Sequence, residues 1–279
     1  MNSLRIITLV LLQFCFFYSF SQTSLNLNSV FTVVIDAGHG GKDPGNTGNG
    51  FIEKNIALKI SLSLGNILEQ KGINVIYTRK KDVFVDLFER ANIANRSDAQ
   101  LFISIHCDSH TSQAFGAGTF VLGLHANQRN FEIAKKENSV IFFEDNYEST
   151  YEGFDPNNPE SVIGLTLMQE EYLDQSIIAA SYIQNSFVKR LKRKNRNVKQ
   201  AGFIVLKYTY MPSVLVETGF LTNRTEGSYL NSNKGQSEMS EAISLAVIKY
   251  KNDFFKNLST SSLINEGSNN DLLYRVQIA

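Results

Sequence analysis

Two of the four histidines stand where apolar, strand-like runs end. His39 lies in DAGHGGKDPG, directly after Phe31–Asp36, and His106 closes LFISIH. Glu53 opens the helical stretch that follows the glycine-rich loop Ala37–Gly50. Two imidazoles and a carboxylate at one sheet edge suit Zn2+, with a fourth position left open for water. Glu217 ends the run Ser213–Val216 inside VLVETGF. A carboxylate there must be paired, hydrated or functional, because burying it alone is costly. Beside a zinc-activated water it would serve as general base and then pass the proton to a leaving amine. Taken singly, each residue has a plainer explanation. A strand-end histidine can be a loop residue, Glu53 a helix-start acid favoured by the dipole, and Glu217 a partner of Arg79 or Arg90. Only their combination points to metal-assisted hydrolysis.

The elements that must position these groups alternate strand and helix, as in an α/β layered domain. Glu53–Lys71 carries Ile56, Ile60, Leu64, Ile67 and Leu68 at helical spacing, and Gly72 closes it. Asn74–Thr78 follows as a strand, Val85–Asn95 as a helix, and Ala99–His106 as a strand apolar enough to be central. Further on, Gly116–Leu122 is a candidate strand and Asn130–Phe143 a candidate helix. Tyr151–Pro159 is a polar, turn-rich loop. A long helical pattern covers Leu173–Arg190. Short strands are expected at Phe203–Leu206 and Ser213–Glu217, and a last helix at Glu238–Tyr250. From Phe255 the chain turns to Ser, Asn and Gly without periodicity, so 256–279 is expected to be a flexible tail.

With hydrophobic residues at 43% and charged residues at 19%, the composition is that of a globular protein rather than a disordered one. A formal net charge of zero gives no global reason for nucleic-acid binding. The basic run Lys189–Arg196 is expected to be a solvated helix end and loop, with contact to an anionic wall polymer as the alternative. At the N-terminus, Arg5 precedes the apolar stretch Ile6–Phe20 and the exit Ser19-Phe20-Ser21, the pattern of an export signal covering 1–21. Residues 22–30 then form a linker. With no span left after signal cleavage, the mature protein is expected in the periplasm of a Gram-negative host, or secreted. Removing the signal leaves one cysteine, Cys107, which is expected to be a buried small hydrophobe. His110 and His125 are assigned to the surface or loops.

The blocks VVIDAGHGGKDPG, Glu53-Lys54, LFISIH, KQAGFIVLKY, MPSVLVETGFLTN and Gly235-Gln236 stand in an order that resembles the zinc-dependent N-acetylmuramoyl-L-alanine amidases of the cell-separation type, the amidase 3 family. The resemblance covers roughly Phe31–Tyr250, so the catalytic domain is set at 31–255. It implies a single twisted, mostly parallel sheet with helices on both faces and zinc at the C-terminal edge of the strands. It implies His39, Glu53 and His106 as zinc ligands and Glu217 as the catalytic glutamate. Asp108 stands where family members carry Asn or Asp. Two readings stay open for it, a further zinc ligand or an acceptor and loop cap beside the site.

The segment from Thr111 to about Leu173 is longer than one crossover requires, and the resemblance implies for residues 125–172 an insertion whose helix, in the Gram-negative division enzymes, covers the zinc until an activator protein displaces it. KKENSV at Lys135–Val140 resembles part of it, and an ungapped alignment puts Gln128 where those relatives carry a zinc-blocking glutamate. The segment is therefore expected to be a cap. Leu273–Ala279 resembles the opening strand of a SPOR glycan-binding module. The expected substrate is peptidoglycan, cut between N-acetylmuramic acid and L-alanine, and the expected state is a monomer. Another amide substrate, or a non-catalytic wall-binding role, is the alternative.

Overall fold

The structure is a computed structural model, and it describes residues 30–123, 128–145, 147–152, 154–158 and 170–268. The export signal, the linker up to residue 29, His125 and the Leu273–Ala279 strand lie outside the described residues.

Six strands form one sheet. In chain order they are β1 (Thr32–Ala37), β4 (Asn74–Tyr77), β5 (Leu101–Asp108), β6 (Ala117–Leu122), β7 (Asn195–Ala201) and β8 (Ser213–Phe220); a separate two-stranded hairpin holds β2 (Thr47–Gly48) and β3 (Phe51–Ile52). The spatial order is β4-β1-β5-β8-β6-β7. All neighbours are parallel except β6 and β8, which run antiparallel. The C-terminal ends of β1, β5 and β8 therefore share one edge with the N-terminal ends of β6 and β7. β1, β5 and β8 are buried along their whole length, as central parallel strands covered on both faces must be.

The pleat sends alternate residues to opposite layers. Val33, Ile35, Ile103, Ile105 and Val214 pack with α1 (Glu53–Gln70), α5 (Glu170–Leu191) and α8 (Asn233–Ser268). Val34, Phe102 and Leu215 face Leu87 and Ala94 of α2 (Leu87–Asn95) and Ile204–Leu206 of the short helix α6 (Ile204–Lys207). That second layer also takes up Ala134, Val140, Ile141 and Tyr151 of the expected cap, which comprises α3 (Gln128–Asn138), a 3-10 turn (Ser139–Phe143) and α4 (Tyr147–Thr150). Among the described residues, no helix is long and apolar enough to cross a membrane.

Three local expectations give way. Phe203–Leu206 is helical rather than extended over most of its length, because a short, fully buried apolar run has no periodicity to tell the two apart. Asn195–Ala201 is a strand, not part of a loop; it sits at the sheet edge, half-exposed, so its polar sequence shows no apolar alternation. The last helix runs past Tyr250 to Ser268, since Phe254 and Phe255 pack edge-on against Phe31 at 5.6 and 6.1 Å. α7 (Arg224–Leu230), capped by the Asn223 side chain, is a helix that the sequence pattern left unassigned.

Candidate metal centre and active site

His39 follows β1 in a left-handed backbone conformation (φ 61°), which turns its ring back over the sheet edge. The loop closes tightly around it. A Cβ at Gly38 would lie within 2.8 Å of three His106 ring atoms, and one at Gly45 (φ +66°) within 2.5 Å of the His39 ring. Those two positions need glycine for the rings to approach. His39 Nδ1 is 2.7 Å from Asp43 Oδ2, leaving Nε2 directed inward.

Glu53, the first residue of α1, is completely buried. Its Oε2 accepts from the Asn46 backbone N–H and its Oε1 from that of Cys107, both at 2.7 Å. Two backbone donors hold the carboxylate without spending side-chain freedom. His106 leaves β5 on the same face, with Nδ1 3.2 Å from both Glu53 Oε1 and His39 Nε2.

The fourth member comes from the cap. Glu137 Oε2, buried and without a hydrogen-bond donor, lies 3.0 Å from His106 Nδ1 and 3.1 Å from His39 Nε2. Ligand atoms from His39, Glu53, His106 and Glu137 all fall within 4.8 Å of one another. This corrects the assignment of Gln128 as the counterpart of the blocking glutamate. Gln128 begins α3, is exposed and hydrogen-bonds Glu132, whereas the end of that helix is what reaches the histidines.

The electrostatics of the group call for a cation. Burial would depress both histidines, yet the charges of Glu53 and Glu137 push His39 well above its ordinary value and Glu137 raises His106 to about 10. Burial would raise the carboxyls, yet the two histidines hold Glu53 below the usual carboxylate range and bring Glu137 to about 2. Two buried carboxylates thus demand positive charge between them. Protons on the imidazoles or a divalent metal ion satisfy that demand, and the mixed nitrogen and oxygen donor set fits the latter.

Glu217 lies directly across from His106 in the β5–β8 register. It is fully buried and neither carboxylate oxygen has a hydrogen-bond partner. Burial, reinforced by the negative charges of Asp108 and Glu137, pushes its carboxyl well above the ordinary range. It pairs with neither Arg79 nor Arg90. Arg79 is spent on the backbone carbonyls of Ala37, Gly38, Lys54 and Lys81, and Arg90 on Asp36 and nearby carbonyls.

The structure does not bring Asp108 into the four-residue group. Its Oδ2 is taken by Arg196 Nη2 at 2.5 Å and its Oδ1 by the Ser109 N–H at 2.7 Å. Arg196 is accordingly not part of a solvated loop; it is buried at the second position of β7, between exposed neighbours, and stacks over Phe220. Cys107 is buried, with Sγ 3.2 Å from Thr218 Oγ1 and clear of the ligand atoms. His110 is exposed and bonds only to its own loop and Thr222.

The cap is fastened at several points. Asn138 bridges the Gly202 carbonyl and the Ile204 N–H, Asn130 donates to the Gln200 carbonyl, and Lys136 reaches Ser109. Glu144 Oε1 accepts from the Leu87 N–H, while Tyr151 donates to Glu144 Oε2 at 2.6 Å and accepts from the Phe88 N–H. Those two side chains satisfy the free amides at the start of α2, which has no cap of its own. Between α3 and the strand ends a cleft of about 520 Å³ remains, lined by Asp108, His110, Arg129, Lys136, Glu137 and Phe220.

Comparison with known proteins agrees with this architecture. The model of the N-acetylmuramoyl-L-alanine amidase family matches residues 33–249. The Escherichia coli amidase AmiA is 34% identical over 223 residues, spanning 78% of this chain and 75% of its own. The solved amidase AmiC2 of Nostoc punctiforme superposes with a TM-score of 0.60 at 30% identity, covering 80% of this chain and 97% of that one. CwlD of Clostridioides difficile, solved in complex with the GerS lipoprotein, gives 0.59 at 26% identity and covers 80% and 98%. With a family match over most of the sheet and its buried histidine–glutamate group, the chain belongs to the N-acetylmuramoyl-L-alanine amidases, the amidase 3 family.

Proposed function

We propose that the chain is a zinc-dependent amidase, exported to the periplasm or beyond, that hydrolyses the bond between N-acetylmuramic acid and L-alanine in peptidoglycan. The observation that carries this reading is Glu217, a buried carboxylate with no partner for either oxygen, opposite His106 at the edge where His39 and Glu53 converge. A structural carboxylate would not be left unpaired there.

His39, Glu53 and His106 would hold the zinc ion. When bound, the ion would polarise the amide carbonyl and acidify water. Glu217 then accepts a proton from the attacking water at its carboxylate and returns it to the nitrogen of the departing L-alanine. Its raised pKa belongs to the closed form without a cation. A positive ion nearby and withdrawal of Glu137 both pull it down, favouring the carboxylate that accepts the proton.

Glu137 makes the described form a resting one. Its carboxylate takes the position that water and substrate need, so the cap must move for turnover. The GerS complex of a structural neighbour supports a partner protein as the agent that moves it. The deciding experiment is product analysis. Purified peptidoglycan should yield free stem peptides beginning with L-alanine and intact glycan strands, and zinc chelation should abolish the release. Cleavage within the glycan or within the peptide would overturn the assignment.

A further inference from the structure

His106 turns its two ring nitrogens to different surroundings. Nδ1 faces Glu137, Glu53 and His39 at 3.0–3.2 Å. Nε2 lies 3.0 Å from Ser104 Oγ, and that hydroxyl reaches Asp36 Oδ2 at 2.6 Å. Asp36 Oδ1 in turn receives Thr78 Oγ1 at 2.6 Å and Arg90 Nη1 at 2.7 Å. Arg90, Asp36 and Ser104 are at most 1% exposed. The sheet aligns them: Asp36 and Ser104 are register partners across β1 and β5, and Ser104 and His106 are two residues apart on one face.

Counting protons along this chain fixes the histidine. Arg90 is always charged, so the ion-paired Asp36 is a carboxylate and only accepts. Ser104 has one proton, and the shorter contact to the charged acceptor takes it. The Ser104 lone pair is left for His106, whose Nε2–H must donate. A neutral His106 then carries its free lone pair on Nδ1, towards the group of ligand atoms.

We propose that Arg90, Asp36 and Ser104 form a positioning relay that locks His106 as the Nε2–H tautomer and so presents Nδ1 to zinc, an inference that rests on the zinc reading above. His39 uses the opposite nitrogens, with Nδ1 held by Asp43 and Nε2 turned inward. A purely architectural Asp36–Arg90 pin has no need of a hydroxyl at position 104, where alanine would fill the same face.

The relay makes two variants behave alike for different reasons. Ser104→Ala removes the acceptor for Nε2–H. Asp36→Asn must keep its carbonyl towards Arg90 and Thr78, so its amide donates to Ser104; the hydroxyl then donates to Nε2 and favours the wrong tautomer. Zn2+ is titrated into the metal-stripped full chain against a chromogenic chelator, and the His106 ring 15N shifts are read in the zinc-loaded protein. We expect wild type to show a protonated Nε2 and a metal-bound Nδ1. Both variants should bind zinc about 10–100-fold more weakly, and Ser104→Thr should recover most of the loss. Wild-type affinity in either variant, or a protonated Nδ1 in wild type, overturns the relay alone. A wild-type chain that binds no zinc overturns the zinc reading and the relay with it.

Discussion

His106 and Glu217 occupy directly opposed positions on the parallel strands β5 and β8, so one sheet register places an imidazole of the buried histidine–glutamate group beside an unpaired carboxylate. That juxtaposition needs no loop to maintain it. A register slip of one residue in either strand would turn that strand's side chain to the other face and separate the pair, putting Ile105 or Cys107 in place of His106, or Val216 or Thr218 in place of Glu217.

Glu217→Gln should therefore remove catalysis while leaving the metal group intact. The amide cannot take up a proton, so hydrolysis should fall by about 10²–10⁴-fold. Zinc binding, read by chelator competition, should stay within a few-fold of wild type.

The cap predicts gains of function. Tyr151→Phe deletes the hydroxyl that donates to Glu144 and receives the Phe88 N–H, at a cost of about 1–3 kcal/mol for the buried groups left unmatched. If that loss falls on the closed form, the open population rises about 5–150-fold. Basal hydrolysis should rise, and amide hydrogen exchange should quicken across residues 139–151. Faster unfolding of the whole domain with no gain in activity would assign these bonds to the body rather than the cap.

The buried pair of Asp36 and Arg90 predicts an acid limit to stability. Burial alone would raise the Asp36 carboxyl, but Arg90 and the hydroxyls of Ser104 and Thr78 hold it below its ordinary value. Its contribution is therefore complete above the unfolded value of about 4 and is lost as pH falls through the lower folded value. Thermal unfolding between pH 2 and 6 should show wild type losing stability more steeply at the acid end than Asp36→Asn, which cannot take up that proton.

The site was legible in the sequence wherever a short motif coincides with an element boundary. Glu53 begins a helix, His39 follows a strand by two residues, and His106 and Glu217 lie in the last half of strands that run on to Asp108 and Phe220, so the parallel topology brings all four to one edge. Glu137 is not legible in this way. It lies in a polar helix, and only the path of the cap over the strand ends gives it a place among the histidines. Arg196 is hidden in a basic run whose other members lie on a helix end and loop. Its burial follows from an edge strand with no apolar alternation to announce it. Ser104 and Asp36 look like interruptions in apolar strands, and their partnership appears only once the register of β1 and β5 is known.

The most direct test combines Glu137→Ala with Glu217→Gln in a digestion of purified peptidoglycan, with and without a zinc chelator. Releasing the cap from the metal group should raise basal stem-peptide release by about tenfold or more, and chelation should abolish it. Adding Glu217→Gln should return the rate to background. Undiminished release by the double variant, or release that survives chelation, would contradict a zinc amidase that works through Glu217 and is held shut by Glu137.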